Sequence, residues 1–238
     1  MARRFIVEGN VEGRFTIGEK EARHILVLRH KIGDVIQVNE KMCEIVGIEK
    51  DEVICDVVGD AEVKGVPETK VTLFQALLKS DKMEFVIQKA VELGVSSIVP
   101  FTSKNVVVKL DGKDRVKKIE RWNKISVEAS KQCGRSDVVD VSKLVSLDEM
   151  LRLFDEFDLV LFAYENEREL LKETLAEDLA GKMIAIVIGA EGGFDSSEAE
   201  KIVESSENVK SVSLGERILR AETASLFLLS VLMYECEG

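Results

Sequence analysis

Two stretches near the C-terminal end of this 238-residue chain bring together residue types that could do chemistry. In the first, Ile184-Ala185-Ile186-Val187-Ile188 runs straight into Gly189-Ala190-Glu191-Gly192-Gly193-Phe194. An apolar, β-branched run that ends in glycines reads as a buried strand delivering a tight turn. Asp195 and Ser196 stand where they can cap a following helix, with Glu198 reaching back. Glycine lets backbone N–H and C=O groups approach a ligand with no Cβ in the way, and open α/β sheets bind ligands outside the carboxyl ends of their strands. The G-x-x-G-G spacing fits neither a phosphate loop nor the dinucleotide fingerprint. An ordinary strand-to-helix turn is the alternative that this stretch alone leaves open.

The second stretch has the same form. Ser211-Val212-Ser213-Leu214-Gly215 leads into Glu216-Arg217-Ile218-Leu219-Arg220-Ala221-Glu222-Thr223-Ala224, so two arginines, a glutamate and a threonine crowd another strand end. The plain alternative is a surface turn in which Arg217 and Arg220 pair with Glu216 and Glu222. A third cluster lies upstream. Glu128, Gln132 and Arg135 are spaced to share one helical face, with Arg121 one heptad earlier. Gln132-Cys133-Gly134-Arg135 would then carry a guanidinium on a helix-terminal loop, a good phosphate ligand, although a polar face at this spacing is most often just solvated.

These clusters need elements to hold them. The first part of the chain reads as β-rich: Arg3 to Val7, Asp34 to Val38, Met42 to Glu49 and Glu52 to Val58 are strand candidates, with a helix from Gly18 to Leu26. A small barrel of short strands with one helix fits this segment, ending near Gly65-Val66-Pro67. Strands and helices then alternate. Strands are expected over Val71–Ala76, Ser97–Phe101, Leu159–Ala163, Met183–Ile188 and Val209–Leu214. Helices are expected over Lys82–Leu93 (closed by Gly94), Lys113–Cys133, Glu167–Glu177, Ser196–Ser205 and from about Glu222. Such alternation implies a parallel sheet covered on both faces. The last helix is apolar on nearly every side, so it should be buried all round, in a core or against a second subunit.

Composition narrows the function. Apolar residues make up 45% of the chain, enough for a sizeable core. No leader segment is apparent, and the apolar run Ala224 to Met233 is too short to cross a bilayer, so a cytoplasmic protein is expected. The four cysteines, Cys43, Cys55, Cys133 and Cys236, lack C-x-x-C spacing and read as reduced thiols, and two histidines make a histidine-rich metal site improbable, so no metal is expected. The net charge of −11 argues at first against nucleic acid, but it is segregated: residues 1–31 carry +3 and residues 69–135 carry +7, against −7 for 32–68 and −13 for 136–209. Two basic blocks can present a positive face to phosphates, or the blocks can interleave in space and cancel.

Taken together, these pieces resemble the RsmE family of 16S ribosomal RNA uridine-N3 methyltransferases, of the SPOUT superfamily. Arg23-His24-Ile25-Leu26-Val27-Leu28-Arg29 with Gly33-Asp34 is similar to the family's H-x-x-x-V-L-R…G-D, with the valine one step earlier. Gln88-Lys89-Ala90-Val91-Glu92-Leu93-Gly94-Val95 resembles its Q-K-x-x-E-L-G-V. Arg121-Trp122, Glu128-Ala129 and Gln132…Arg135 resemble its helix, Gly189–Gly193 its G-P-E-G-G, and Leu214–Ala224 its L-G-x-R-I-L-R-x-E-T-A. Ala190 departs from the usual proline, Lys131 from an acidic residue, and Glu216 and Ala221 from proline and threonine.

The resemblance implies an α/β fold in two domains. Residues 1–68 would form a PUA-like RNA-binding barrel, and 69–238 a parallel-sheet SPOUT domain with a trefoil knot. It implies a homodimer that binds S-adenosyl-L-methionine across three strand-end loops: Leu161, Phe162 and Ala163; Gly189, Ala190, Glu191, Gly192 and Gly193; Leu214, Gly215, Ile218 and Leu219. It places Arg220 first and Arg217 second as the groups that would stabilise a uracil anion, with Glu222 one candidate for the proton acceptor. Arg3, Arg4, Arg23, His24, Arg29, Gln132 and Arg135 are the expected contacts to ribosomal RNA, within the small ribosomal subunit. Competing readings are a knotted methyltransferase acting on another ribosomal or transfer RNA nucleotide, a non-enzymatic RNA-binding protein of the same fold, and a nucleotide-binding regulator.

Overall fold

A computed structural model describes residues 4–7, 9–62, 64–168, 170–175 and 179–237, so the expected RNA contact Arg3 and the expected helix end at Glu177 lie outside the described residues. The chain divides into two compact units, one of residues 1–66 with 130–138 and one of residues 67–129 with 139–238.

In the first unit, β1 (Arg4–Phe5), β2 (Arg14–Gly18), α1 (Glu19–Val27), β3 (Val35–Val38), β4 (Lys41–Glu49) and β5 (Glu52–Asp60) follow in turn. The strands form one sheet in the order β1-β3-β4-β5-β2, antiparallel apart from the β1–β3 pair. A curled five-stranded sheet thus stands where the small barrel is expected from sequence, with β1 and β2 as its end strands. Alternate residues of these strands face inward. Ile36 and Val38, Cys43 and Ile45, and Val53 and Cys55 are fully buried with Phe5 and with Ile25 of α1. Burial in this apolar core pushes the Cys55 thiol up to about 12, which keeps it protonated. Strand β2 was not foreseen, because polar residues interrupt its short apolar pattern.

The segment 130–138 is stitched to this unit by backbone and side chain together. The Lys64 amide donates to Ser136 Oγ (2.7 Å), the Ser136 amide to the Lys64 carbonyl (2.9 Å), and Arg4 Nη2 to the Ser136 carbonyl (2.7 Å). Lys131 also pairs with Glu21 of α1 at 2.7 Å.

The second unit is built on seven parallel strands, as the alternation requires. In chain order it has β6 (Lys70–Ala76), α2 (Ser80–Glu92), β7 (Ser97–Thr102), α3 (Gly112–Cys133, whose last turn belongs to the first unit), β8 (Asp140–Val141), β9 (Val145–Ser146), α4 (Leu147–Leu151), β10 (Leu159–Ala163), α5 (Leu171–Thr174), β11 (Met183–Ile188), α6 (Ser196–Glu204), β12 (Val209–Val212) and α7 (Ala221–Glu237). The sheet order is β12-β10-β11-β6-β7-β8, with β9 also paired to β7. Strands β10 and β11 are continuous apolar runs because both faces of the sheet are covered. Short β8, β9 and α4 lie where no element was expected. Two- and five-residue elements are too brief to leave a period in the sequence.

Helix α2 ends as expected at Gly94. Its φ is +94°, its amide donates to the Val91 carbonyl and the Val95 amide to the Ala90 carbonyl, the pair of bonds that closes a helix through a left-handed residue. Helix α7 meets only part of its expected cover within one chain. Ala224, Leu228, Leu229 and Leu232 enter the core, but Phe227 and Tyr234 on another side are 42% and 76% exposed, so within one chain it is buried on one face only. Among the described residues no helix is long and apolar enough to cross a membrane.

Candidate active site

Parallel pairing brings three strand ends to one edge of the second unit's sheet. Ala163 stands in register with Val212, Phe162 with Val187, and Ile188 with Gln75. The turns after β10, β11 and β12 therefore emerge side by side. The chain beyond β10 is tied to the chain beyond β12, because the Tyr164 amide donates to the Val212 carbonyl (3.1 Å) and the Leu171 amide to the Ser213 carbonyl (3.3 Å). Strand β12 lies at the sheet edge beside β10, whereas α7 packs on α2 and β11. Residues 213–220 therefore cross the end of the sheet to connect them. The structure thus brings the two glycine-bearing stretches singled out in the sequence to one edge. Leu161 and Phe162 are fully buried strand residues, so only their backbone is available to a ligand, while Ala163 at the strand end is half-buried.

The turn after β11 is held from three directions, by residues that no motif in the sequence marks. The Gly193 amide closes it onto the Ala190 carbonyl at 3.0 Å, and Gly193 adopts φ +63°. From β6, fully buried Gln75 donates through Nε2 to the Gly189 carbonyl at 3.3 Å. From the loop after β7, Asn105 Nδ2 donates to the Gly192 carbonyl at 2.9 Å. From α2, the Lys82 ammonium lies 3.3 Å from Glu191 and 3.4 Å from Glu222, the second residue of α7. Burial alone would raise the Glu191 carboxyl, but hydrogen bonds from its own backbone, from Lys82 and from the Lys79 amide outweigh it and hold the group below its usual range. The one sequence signal for Gln75 is a carboxamide between the apolar residues Phe74 and Ala76.

Behind the turn, helix α6 starts as expected. Asp195 accepts from the Ser197 amide at 3.1 Å, and Glu198 reaches back to the Asp195 amide. Lys104 binds Asp195 at 2.7 Å; with the Ser197 side chain and amide it draws the Asp195 carboxyl down to about 2. Phe194 buries its ring against Phe101 and Phe162, with centroids 6.1 and 5.0 Å away. A Cβ at Gly189 would meet that ring at 2.9 Å.

On the third turn, Leu214 and Leu219 are half-buried against the core, while Gly215, Arg217 and Arg220 are exposed and Ile218 is 89% exposed. Among the described residues neither Arg217 nor Arg220 forms an ion pair, and Glu222 turns to Lys82 instead. The simple surface-turn alternative required the pairing that is missing. The site therefore offers backbone amides and carbonyls on a glycine turn, an uncovered apolar side chain and two uncommitted guanidinium groups.

The expected RNA contacts separate into two groups. Arg23, His24, Arg29 and Gln132 are exposed in the first unit; Arg23 lies 3.5 Å from Asp51, and His24 stands edge-on to Phe5. Arg4 and Arg135 lie deeper in the same unit. Helix α3 stops at Cys133, Gly134 turns the chain at φ +80°, and Arg135 folds inward to 3% exposure. There its guanidinium grips both oxygens of Asp137, at 2.8 and 2.9 Å, so it shares no helical face with Glu128 and is no open phosphate ligand. Arg4 is half-buried with one nitrogen on the Ser136 carbonyl, and burial pushes its guanidinium below its ordinary value against the pull of Asp137 and Glu40.

Residues 66–233 match the RNA methyltransferase domain family. Among curated proteins, the chain is 36% identical over 234 residues to ribosomal RNA small subunit methyltransferase E of Bacillus subtilis, covering 94% of this chain and 91% of that one. It is 30% identical over 220 residues to the protein of that name from Aquifex aeolicus, covering 90% and 92%. Among solved structures, it is similar to ribosomal RNA small subunit methyltransferase E from Neisseria gonorrhoeae bound to S-adenosyl methionine, with a TM-score of 0.86 and 26% identity over 99% of this chain and 98% of that one.

Proposed function

Because the chain belongs to the RNA methyltransferase family that includes ribosomal RNA small subunit methyltransferase E, we propose that it methylates N3 of a uridine in 16S ribosomal RNA, using S-adenosyl-L-methionine. The observation that carries this reading is the convergence of three strand-end turns at one sheet edge, with Arg217 and Arg220 exposed beside them. The turns suit a bent nucleoside. The glycine turn keeps side chains away from its backbone where Gly193 adopts a left-handed conformation, and Ile218 stands ready to cover an adenine face. S-adenosyl-L-methionine would supply an activated methyl group on a sulfonium.

This chain's own residues do the rest. Backbone groups of 189–193 and 214–219 hold the donor, and the buried Leu161 and Phe162 support β10, which carries the remaining turn. N3 of uracil is a poor nucleophile until its proton leaves. Arg220, with Arg217 second, stabilises the anion that develops on the uracil carbonyls, and Glu222 is one candidate acceptor for the proton. Holding nucleophile and methyl in line supplies much of the acceleration. Arg23, His24, Arg29 and Gln132 grip phosphates or sugars of the RNA; the same reading includes a PUA-like role for the first unit and a knotted path for the C-terminal segment of the second.

We assign the open face of α7 to a second copy of the chain. Phe227, Tyr234, Leu226 and Val231, with Phe85 of α2, line an apolar groove of 680 Å³ that reaches Glu222 and Thr223 at the helix start. The test of the function is methyl transfer from labelled S-adenosyl-L-methionine to purified small ribosomal subunits, followed by mass spectrometry of the nucleosides. 3-Methyluridine is the expected product; label on another nucleoside would move the activity to another target, and no retention of the donor would leave an RNA-binding protein.

A further inference from the structure

Gln75 is the only fully buried glutamine or asparagine side chain among the described residues, and it touches both halves of the proposed site at once. Its Nε2 donates to the Gly189 carbonyl at 3.3 Å and to the Ala76 carbonyl at 3.1 Å. Its Oε1 accepts from Ser225 Oγ at 2.5 Å, and Ser225 is equally buried in the first turns of α7. The orientation of the carboxamide follows from its neighbours. Two carbonyl oxygens on one side demand the amino group there, since the flipped amide would set three oxygens against one another. The oxygen then faces Ser225. That hydroxyl has one proton, and although the Ala221 carbonyl lies 2.9 Å away, the shorter contact is to Gln75.

We propose that Gln75 and Ser225 are positioning residues: a buried clamp that fixes the distance between the donor-binding turn at Gly189 and the Arg217–Arg220 segment entering α7. This inference rests on the methyltransferase reading and deepens it. A buried amide must keep its bonds in one geometry or leave polar groups unsatisfied, so the clamp has one stable length. The Gly189 arm governs the turn that holds the donor. The Ser225 arm governs where the arginines stand relative to it. The two arms can be cut separately.

The experiment compares wild type, Gln75→Met, Gln75→Glu and Ser225→Ala as full-length chains. It measures S-adenosyl-L-methionine affinity by calorimetry, and kcat and KM on small ribosomal subunits. Gln75→Met should weaken donor affinity about 5- to 20-fold, the usual cost of a buried hydrogen bond lost from one partner. Ser225→Ala should keep donor affinity within about twofold while kcat falls by at least a similar factor, because it leaves the Gly189 arm in place. Gln75→Glu supplies a signature that loss of folding would not. Its carboxyl, raised by burial, can donate to Gly189 only when protonated, so donor affinity should recover as the pH falls from about 8.5 to 6, while Gln75→Met stays flat. Donor affinity and kcat unchanged in folded Gln75→Met would overturn the clamp. So would Ser225→Ala with wild-type kcat, which decides the matter if Gln75→Met does not fold. A wild-type chain that binds no donor would sink the methyltransferase reading itself, whereas equal binding by wild type and variants sinks only the clamp.

Discussion

Gly193→Ala separates two physical costs that coincide at one residue. Gly193 holds φ +63°, and a Cβ there would overlap Glu165 Oε1. The overlap is severe on paper, yet Glu165 is an exposed carboxylate at the end of a flexible side chain and can rotate away. The backbone cannot escape so cheaply: an L-residue in the left-handed region costs about 1–2 kcal/mol. The tip of the turn, Glu191 and Gly192, is exposed between β11 and α6, so the free protein can relax there without opening the core. The cost then appears on binding, when the turn must return to its shape. Donor affinity should fall about 5- to 30-fold, since 1.4 kcal/mol is a factor of ten. Calorimetry with S-adenosyl-L-methionine measures this, and a thermal melt should show little change. The double variant Gly193→Ala with Glu165→Ala decides between the two costs. If the backbone dominates, removing the carboxylate restores almost nothing. Full restoration would refute the ranking of the two terms, and affinity within twofold of wild type for Gly193→Ala alone would remove the turn from the donor site.

Four further outcomes follow from the same geometry. Arg220→Ala should leave donor binding intact and lower methyl transfer about 100- to 1000-fold, the scale of losing one anion-stabilising donor, and equal loss of both would assign Arg220 to binding or folding. Arg135→Ala should destabilise the chain by about 1.5–3 kcal/mol in urea unfolding, because it removes charge-assisted bonds to Asp137 from a buried position; an unchanged midpoint would show that the pair contributes nothing. Asp195 is drawn down to about 2, so its folded form is favoured above the unfolded carboxylate range and that advantage fades as pH falls toward 2; Asp195→Asn should lower the melting temperature at pH 7 and approach wild type only near pH 2, and a pH-independent gap would discount the Lys104 contact. Phe227→Glu should convert the proposed dimer to monomer in sedimentation, since it places a charge on the apolar groove, and a persistent dimer would move the interface elsewhere.

Much of the scaffold was written in local pattern. Strands β10 and β11 begin and end where their apolar runs do, because strands buried on both faces need continuous hydrophobic sequence. The closing of α2 at Gly94 and the cap of α6 at Asp195 were legible for the same reason: each is a short-range hydrogen-bond device with its residues adjacent in the chain. The motifs of the last 50 residues were visible as types and spacing, and the parallel alternation was enough to send their turns to one edge.

What the tertiary structure decided were the contacts whose partners are far apart in sequence. Gln75 meets Gly189 across 114 positions and Asn105 meets Gly192 across 87, so no local period announces either. Lys82 reads as the ordinary first residue of a helix until folding sets it between Glu191 and Glu222. Arg135 reads as a solvent-facing cation because its neighbours are polar, but the turn at Gly134 points it inward to Asp137. Composition likewise said that α7 is apolar without saying that one of its faces would remain uncovered in a single chain. Residue type and spacing determine which elements form, since those energies are local. Which side chains are desolvated together depends on how the elements pack, and that is set only when the whole sheet assembles.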